Sequence, residues 1–169
     1  MLKKLFVAAF VAIASLTSYA QTLKIGTFDY QAIQNSMPET NVVESEIAKR
    51  RTTAETELNK MQTELQNKAT AYDAEADSLD DVTKQIRTEE LQTLYQRIQQ
   101  YQQAQGMQLQ QYVQQQQALI QEKIFKAVKA VGDREKFVAI FPTDESIYFS
   151  PTETSDVTAK VKTELGIKQ

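Results

Sequence analysis

Between residues 41 and 131 apolar side chains recur every three or four positions, and most of what lies between them is polar: Glu, Lys, Arg, Gln, Thr and Asn. A line of that period is one face of an amphipathic helix. From Ile47 it passes through Ala54, Leu58, Met61, Leu65, Ala69, Tyr72, Ala76 and Leu79. It resumes with Ile86, Leu91, Leu94, Ile98, Tyr101, Leu109, Tyr112, Leu119, Ile124, Ala127 and Val131. Residues 77–81 form the turn-like cluster between the two runs, and Asp80 or Asp81 is placed to cap a helix opening at Val82. The spacing therefore predicts an antiparallel helical hairpin over residues 37–132 with its tip near 77–82. At a rise of 1.5 Å per residue, about forty residues make an arm of ~60 Å. Such an arm cannot lie against a domain this small and has to project from it.

The ends of the chain read differently. Residues 23–28 alternate apolar and small or polar side chains, which predicts a short strand with Leu23, Ile25 and Phe28 turned inward. Asp29 opens a helical turn through Ile33. Start signals for the long helix then crowd together: Ser36 with Glu39, Asn41 with Glu44, and Pro38, which fits only a first turn. Gly106 interrupts the return helix at a cost of about 1 kcal/mol relative to Ala and marks a flexible point. Gly132 fits the left-handed residue that ends a helix. Residues 137–141 are continuously apolar, 142–145 turn-like and 146–149 strand-like, which predicts a β-hairpin. Ser155 and Asp156 then precede Val157, Val161 and Leu165, a short amphipathic helix that covers the sheet.

The fold class is thus α+β, a discontinuous β-rich body from residues 21–36 and 133–169 carrying the helical hairpin. Three short strands make a meagre sheet, and a two-helix seam cannot bury a globular core, so oligomerisation is expected. At the front, Lys3 and Lys4, an apolar run over residues 5–16 and the small residues around Ala20 predict a cleaved secretory signal, residues 1–20. That run falls short of the ~20 residues of a membrane span. No stable membrane insertion is expected, and no Cys follows the cleavage point to take a lipid.

Composition narrows the chemistry. The chain has no His, Cys or Trp, which removes imidazole bases, the usual zinc and copper ligands, disulfides and thiol redox work. The formal charge is -3, and losing Lys3 and Lys4 makes the remainder two charges more negative. A nucleic-acid partner is not expected of a chain without a basic patch. Carboxylate pairs such as Glu44 and Glu46, Asp80 and Asp81, or Glu89 and Glu90 do not face one another on a helix, so solvated faces and helix-start charge explain them. The basic cluster Lys49, Arg50 and Arg51 sits between Glu46 and Glu55, where i,i+4 pairing accounts for it. No catalytic set, metal site or cofactor is expected. Residues 91–119 are about half glutamine yet keep the helical period, so they read as a solvated helix face. Tyr72, Tyr95, Tyr101 and Tyr112 are seam residues in one reading; in the other, a thin arm leaves some of them to a partner.

Taken together, the leader, the strand Lys24-Ile25-Gly26-Thr27-Phe28-Asp29 with Ile33 after it, the long hairpin, the return through residues 137–141 and Tyr148, and Asp156-Val157-Thr158 before a closing helix with Val161 resemble the periplasmic chaperones of the Skp/OmpH type. The resemblance implies a homotrimer whose strands form a small β-barrel body, with helical arms enclosing a cavity. It further implies a periplasmic, ATP-independent holdase for unfolded outer-membrane proteins. On that footing Ile25, Phe28, Val138, Ile140, Ile147 and Phe149 are expected to build the trimer body. Tyr72, Leu79, Val82, Ile86, Leu94 and Tyr101 are the expected client contacts. This chain departs from its best-known relatives, which are strongly basic, so a lipopolysaccharide site is not carried over. The alternative is a structural coiled-coil spacer or adaptor of the envelope with one fixed partner; the irregular steps and Gly106 speak against its unbroken heptad.

Overall fold

The computed structural model describes residues 23–144 and 146–167, so the expected leader lies outside the described residues. In chain order the elements are β1 (Ile25–Phe28), α1 (Tyr30–Ser36), α2 (Pro38–Glu75), a 3-10 turn (Ala76–Ser78), α3 (Asp81–Glu135), β2 (Ala139–Pro142), β3 (Thr154–Asp156) and α4 (Thr158–Glu164). The architecture is α+β: a three-stranded sheet with two long helices. With 38 and 55 residues, α2 and α3 run for about 57 and 83 Å at 1.5 Å per residue.

Local chemistry sets the boundaries. The Ala32 N–H donates to Asp29 Oδ1 at 2.8 Å and starts α1. At the start of α2 the expected Ser36 and Asn41 capping pairs do not form. Ser36 Oγ donates back to the Ala32 carbonyl at 2.6 Å instead, and α2 opens at Pro38 with Met37 in the cap position and no side-chain cap. Proline suits that place because its missing N–H is one the helix cannot use. Asp80 caps α3, accepting from the Thr83 N–H at 2.9 Å and the Thr83 hydroxyl at 2.8 Å.

The far end of α3 corrects the expectation for Gly132. The helix runs on to Glu135, and Lys136 takes the left-handed conformation at φ 57°. Gly132 is small for a different reason: a Cβ there would stand 3.3 Å from Ile140 Cδ1, a side chain of β2. Its carbonyl accepts from Phe137 at 3.0 Å as the chain turns off the helix.

A second correction concerns the sheet. Strand order is β2-β1-β3, and β1 pairs in parallel with both neighbours, Ile25 with Ala139 on one edge and with Thr154 on the other. Residues 146–149 form no strand, so the expected β-hairpin does not exist. Turn chemistry brackets that stretch: the Ser146 N–H donates to Asp144 Oδ1 at 2.7 Å, and Ser150's carbonyl accepts from Thr154 through both its N–H, at 3.0 Å, and its hydroxyl, at 2.8 Å. The third strand comes later, from the polar residues Thr154–Asp156, which alternation could not mark.

Beneath the sheet lies one core. Phe28, Ile33 and Met37 from the front meet Ile120, Ile124, Ala127, Val128 and Val131 of α3 and Val157 and Val161 from the end. Gly26 lets the layers close, since a Cβ there would sit 3.1 Å from Ile140 and from the Phe137 ring.

Candidate functional site

The arm is the part of the molecule that the core does not consume. Its seam holds one small cluster, Met61, Leu94 and Ile98, flanked by Leu58, Leu65 and Tyr101. Elsewhere along it, from Ile47 to Leu79, the apolar line of α2 is half-buried against α3. Two returning residues leave that line: Ile86 is 51% and Leu119 53% exposed. Ile86 stands eight residues before Leu94, about 80° out of its phase at 3.6 residues per turn, whereas Leu119 keeps nearly the phase of Tyr112 and is exposed all the same.

The six arm residues singled out above separate into three settings. Tyr72 and Leu79 line, with Ala71 and Leu91, a slot of about 170 Å³ near the tip, rimmed by Lys68, Glu75, Arg87 and Glu90. Val82, 68% exposed, and Ile86 stand one turn apart at the opening of α3 and face solvent. Leu94 is buried in the seam, whereas Tyr101 packs against the same cluster and stays half-buried, lining an open groove with Met61, Arg97 and Ala104. Of the other tyrosines, Tyr95 is exposed and Tyr112 half-buried, with the Arg50 guanidinium 4.2 Å from the Tyr112 ring centroid. Arg50 also pairs with Glu46 at 3.0 Å, one helical turn away. Exposed Val42 and Met107 escaped the sequence reading because single apolar residues off the stripe carry no periodic signal.

The body residues divide as well. Phe28 is wholly buried inside its own chain, with Ile25 and Ile140 half-buried, while Val138 and Ile147 are 65% and 52% exposed. Phe149 stacks on Phe141 with ring centroids 6.2 Å apart. Tyr148 beside them is 86% exposed.

Electrostatics fasten the arm to the body. The Glu135 carboxyl is held below the usual glutamate range, first by a hydrogen bond from Lys160 at 2.5 Å and then by Lys24 at 3.3 Å. Glu39 is lowered likewise by Lys123, 2.6 Å away across the root of the hairpin. At the tip, the Thr83 N–H and hydroxyl hold the Asp80 carboxyl down. Each of these lowered carboxylates is tied to a cap or an ion pair, so none is free as an acid or base. Among the described residues no group of three or more His, Cys, Asp or Glu is placed to hold a metal. No helix among them is long and apolar enough to cross a membrane.

Comparison with known proteins gives this architecture its relatives. The structure is similar to the crystal structure of a candidate outer membrane chaperone (OmpH-like) from Caulobacter crescentus. The two share a TM-score of 0.72 at 17% sequence identity, over 83% of this chain and 82% of that one. At that identity the likeness speaks for the fold. No curated protein matches by sequence. The sequence model of the family described as outer membrane protein (OmpH-like) matches residues 24–165, from the first strand through the closing helix. The chain belongs to the OmpH-like family of outer membrane proteins, the Skp/OmpH family.

Proposed function

We propose that this protein is an ATP-independent holdase of the periplasm, which keeps unfolded outer-membrane β-barrel proteins from aggregating. One observation carries the reading: a projecting hairpin leaves Val82, Ile86, Tyr95, Met107 and Leu119 exposed along an otherwise wet surface. Scattered apolar contacts of that kind hold an unfolded chain weakly at many points and adapt to many sequences. Val82 and Ile86 meet the client at the tip, the slot formed by Tyr72 and Leu79 takes an apolar side chain, Tyr101 offers its open side farther along the arm, and Leu94 stiffens the arm behind them. The relative from Caulobacter crescentus is described as a candidate outer membrane chaperone, and the family, together with the expected export leader, supports a place in the periplasm.

The working form is a homotrimer. Strands β2 and β3 each keep an outer edge without a partner among the described residues, and open edges seek strands. Val138, Ile147 and Phe149 meet neighbouring chains, Ile25 and Ile140 back the sheet, and Phe28 supports it from within. The test dilutes a urea-unfolded outer-membrane β-barrel protein into buffer with and without this protein at a small molar excess and follows turbidity. Suppression is expected, and its absence at every ratio sinks the holdase. Light scattering tests the assembly, since a stable monomer is incompatible with it.

A further inference from the structure

Residues 98–121 of α3 contain no charged side chain, although Arg97 and Glu122 stand immediately on either side. Thirteen of those twenty-four residues are glutamine. Helical spacing sorts them. Gln99, Gln103, Gln110, Gln114, Gln117 and Gln121 follow in steps of three, four and seven, so they form one line, and every one of them is exposed. The step of seven passes over Gly106, which fills the remaining place in the line. Leu94, Ile98, Tyr101 and Tyr112 lie on the other side of the helix, toward α2.

Two facts about this line are unexplained by the fold. Among the described residues the glutamine side chains that form hydrogen bonds are Gln31, with Asn35, and Gln85, with Glu89. The amides along the line therefore make no hydrogen bond within the chain and stand open to water or to a partner. Gly106 is equally unforced: it sits inside a helix, and a Cβ built on it meets nothing within 4 Å. Internal packing does not ask for it.

We propose that this line is a binding face for the main chain of an extended, unfolded polypeptide, with Gly106 as a notch where the bound backbone comes nearest the helix. The proposal rests on the holdase reading and supplies its recognition chemistry. The main chain is the part of an unfolded protein that does not vary with sequence, a neutral row of N–H and C=O groups. A primary amide offers both donors and an acceptor, so one residue type answers both. Charge complementarity points the same way, because an uncharged face matches the neutral main chain and repels no client for the sign of its side chains. From Gln99 to Gln121 the line is about 33 Å long, room for roughly ten residues of extended chain. Its residues stand about 5–6 Å apart along the axis, near the ~6.7 Å repeat of groups facing one way in a strand. Each bond made in water is weak, and Met107, which is exposed, adds apolar contact at the border of the face.

The experiment uses the full secreted chain in its native assembly and three unfolded fluorescent peptides of Gly, Ser, Thr and Asn: one neutral, one bearing lysines and one bearing glutamates. Anisotropy titrations are run at low and at high salt. The wild type binds all three with affinities that salt changes by less than about threefold. Combining Gln103→Ala, Gln110→Ala, Gln114→Ala and Gln117→Ala weakens all three by about tenfold, with helicity by circular dichroism unchanged. The same four positions as Gln→Glu keep the lysine peptide and lose the glutamate peptide. Gly106→Leu fills the notch and weakens binding while strengthening the helix. Unchanged affinity in the alanine series overturns the proposal, because the amides then only keep the arm wet. A wild type that binds no peptide, or the lysine peptide alone, overturns it too. Peptide binding as described without suppression of β-barrel aggregation removes the holdase reading and leaves this one standing.

Discussion

Ten buried side chains from three distant stretches of sequence meet in the core of the base, whereas the arm buries three, Met61, Leu94 and Ile98. Between Ile98 and Ile120 the arm buries none at all. That core is enclosed by several parts of the chain, with β1 above, α1 and α4 beside and the end of α3 below, while the outer edges of the sheet stay open. In the arm two helices face each other and water takes the rest. A pair of helices with one narrow seam gains little from burial, so the base must supply the stability that lets the arm keep its surface open. That division of labour makes distinct forecasts for mutations in the two regions.

The largest difference should come from truncating a side chain in each core. Ile124→Ala, at a fully buried position of the base, is expected to cost about 3–4 kcal/mol, since the surrounding segments cannot all collapse into the cavity. Leu94→Ala in the arm is expected to cost about 2 kcal/mol, because two helices can close on a gap. Urea unfolding measures both, and hydrogen exchange shows where the loss falls. The arm variant should lose protection in residues 58–101 alone, while the base variant loosens the whole molecule. Equal losses spread over all amides would mean that arm and base unfold as one unit.

Next in size is Gly26→Ala. The added methyl meets Ile140 and the Phe137 ring at 3.1 Å, and forcing them apart should cost about 1–3 kcal/mol. The thermal midpoint should fall accordingly. The comparison with Gly106, where the same methyl meets open space, is the sharpest contrast between the two regions at fixed chemistry.

Much of the arm was legible because one signal, the three-four period, persists for so long. The seam from Leu58 to Ile98 follows from it directly, and the turn chemistry at residues 77–81 narrows the cap to Asp80 or Asp81, of which the structure selects Asp80. The base was harder. Its third strand, Thr154–Asp156, is polar and gains its place only by hydrogen bonding to β1, a long-range partner that no local pattern announces. Residues 146–149 looked like that strand because Ile147, Tyr148 and Phe149 have strand-forming side chains, but Asp144 and Ser150 turn the chain on both sides of them. The candidate site was half legible. Exposed apolar residues off the stripe have no period, and the distinction between Leu94 in the seam and Ile86 in solvent depends on about 80° of helical phase.

Smaller effects, about 1 kcal/mol each, come from two backbone positions and fall in opposite regions. Lys136 holds a left-handed conformation at the end of α3, so Lys136→Gly should stabilise the base by about 0.5–1 kcal/mol. Gly106→Ala should stabilise the arm by about 1 kcal/mol, through helix propensity. Both are read as rises in urea midpoint. Hydrogen exchange should assign the first to residues 24–36 and 120–167 and the second to residues near 106; if either gain appears in the other region, the two are energetically continuous.

The smallest effect separates base from seam by acid. Glu135 joins α3 to the strand end through Lys24 and to α4 through Lys160, and those hydrogen bonds hold its carboxyl below the ordinary range. A carboxyl lowered in the folded state stabilises that state above its unfolded value, about 4.3. The contribution is lost as pH falls from there through the lowered folded value. The Glu39 pair with Lys123 follows the same sign, as does Asp80 at the tip, whereas Met61, Leu94 and Ile98 have nothing to titrate. Stability should therefore hold from pH 7 to about 5 and decline below the ordinary glutamate value, first in the base and tip. Glu135→Gln should show a slightly lower urea midpoint at neutral pH and a shallower decline in acid, so that its curve meets the wild-type curve near pH 3. Parallel curves down to that pH would place the acid sensitivity elsewhere, because only the loss of a group that titrates within the window brings the two together.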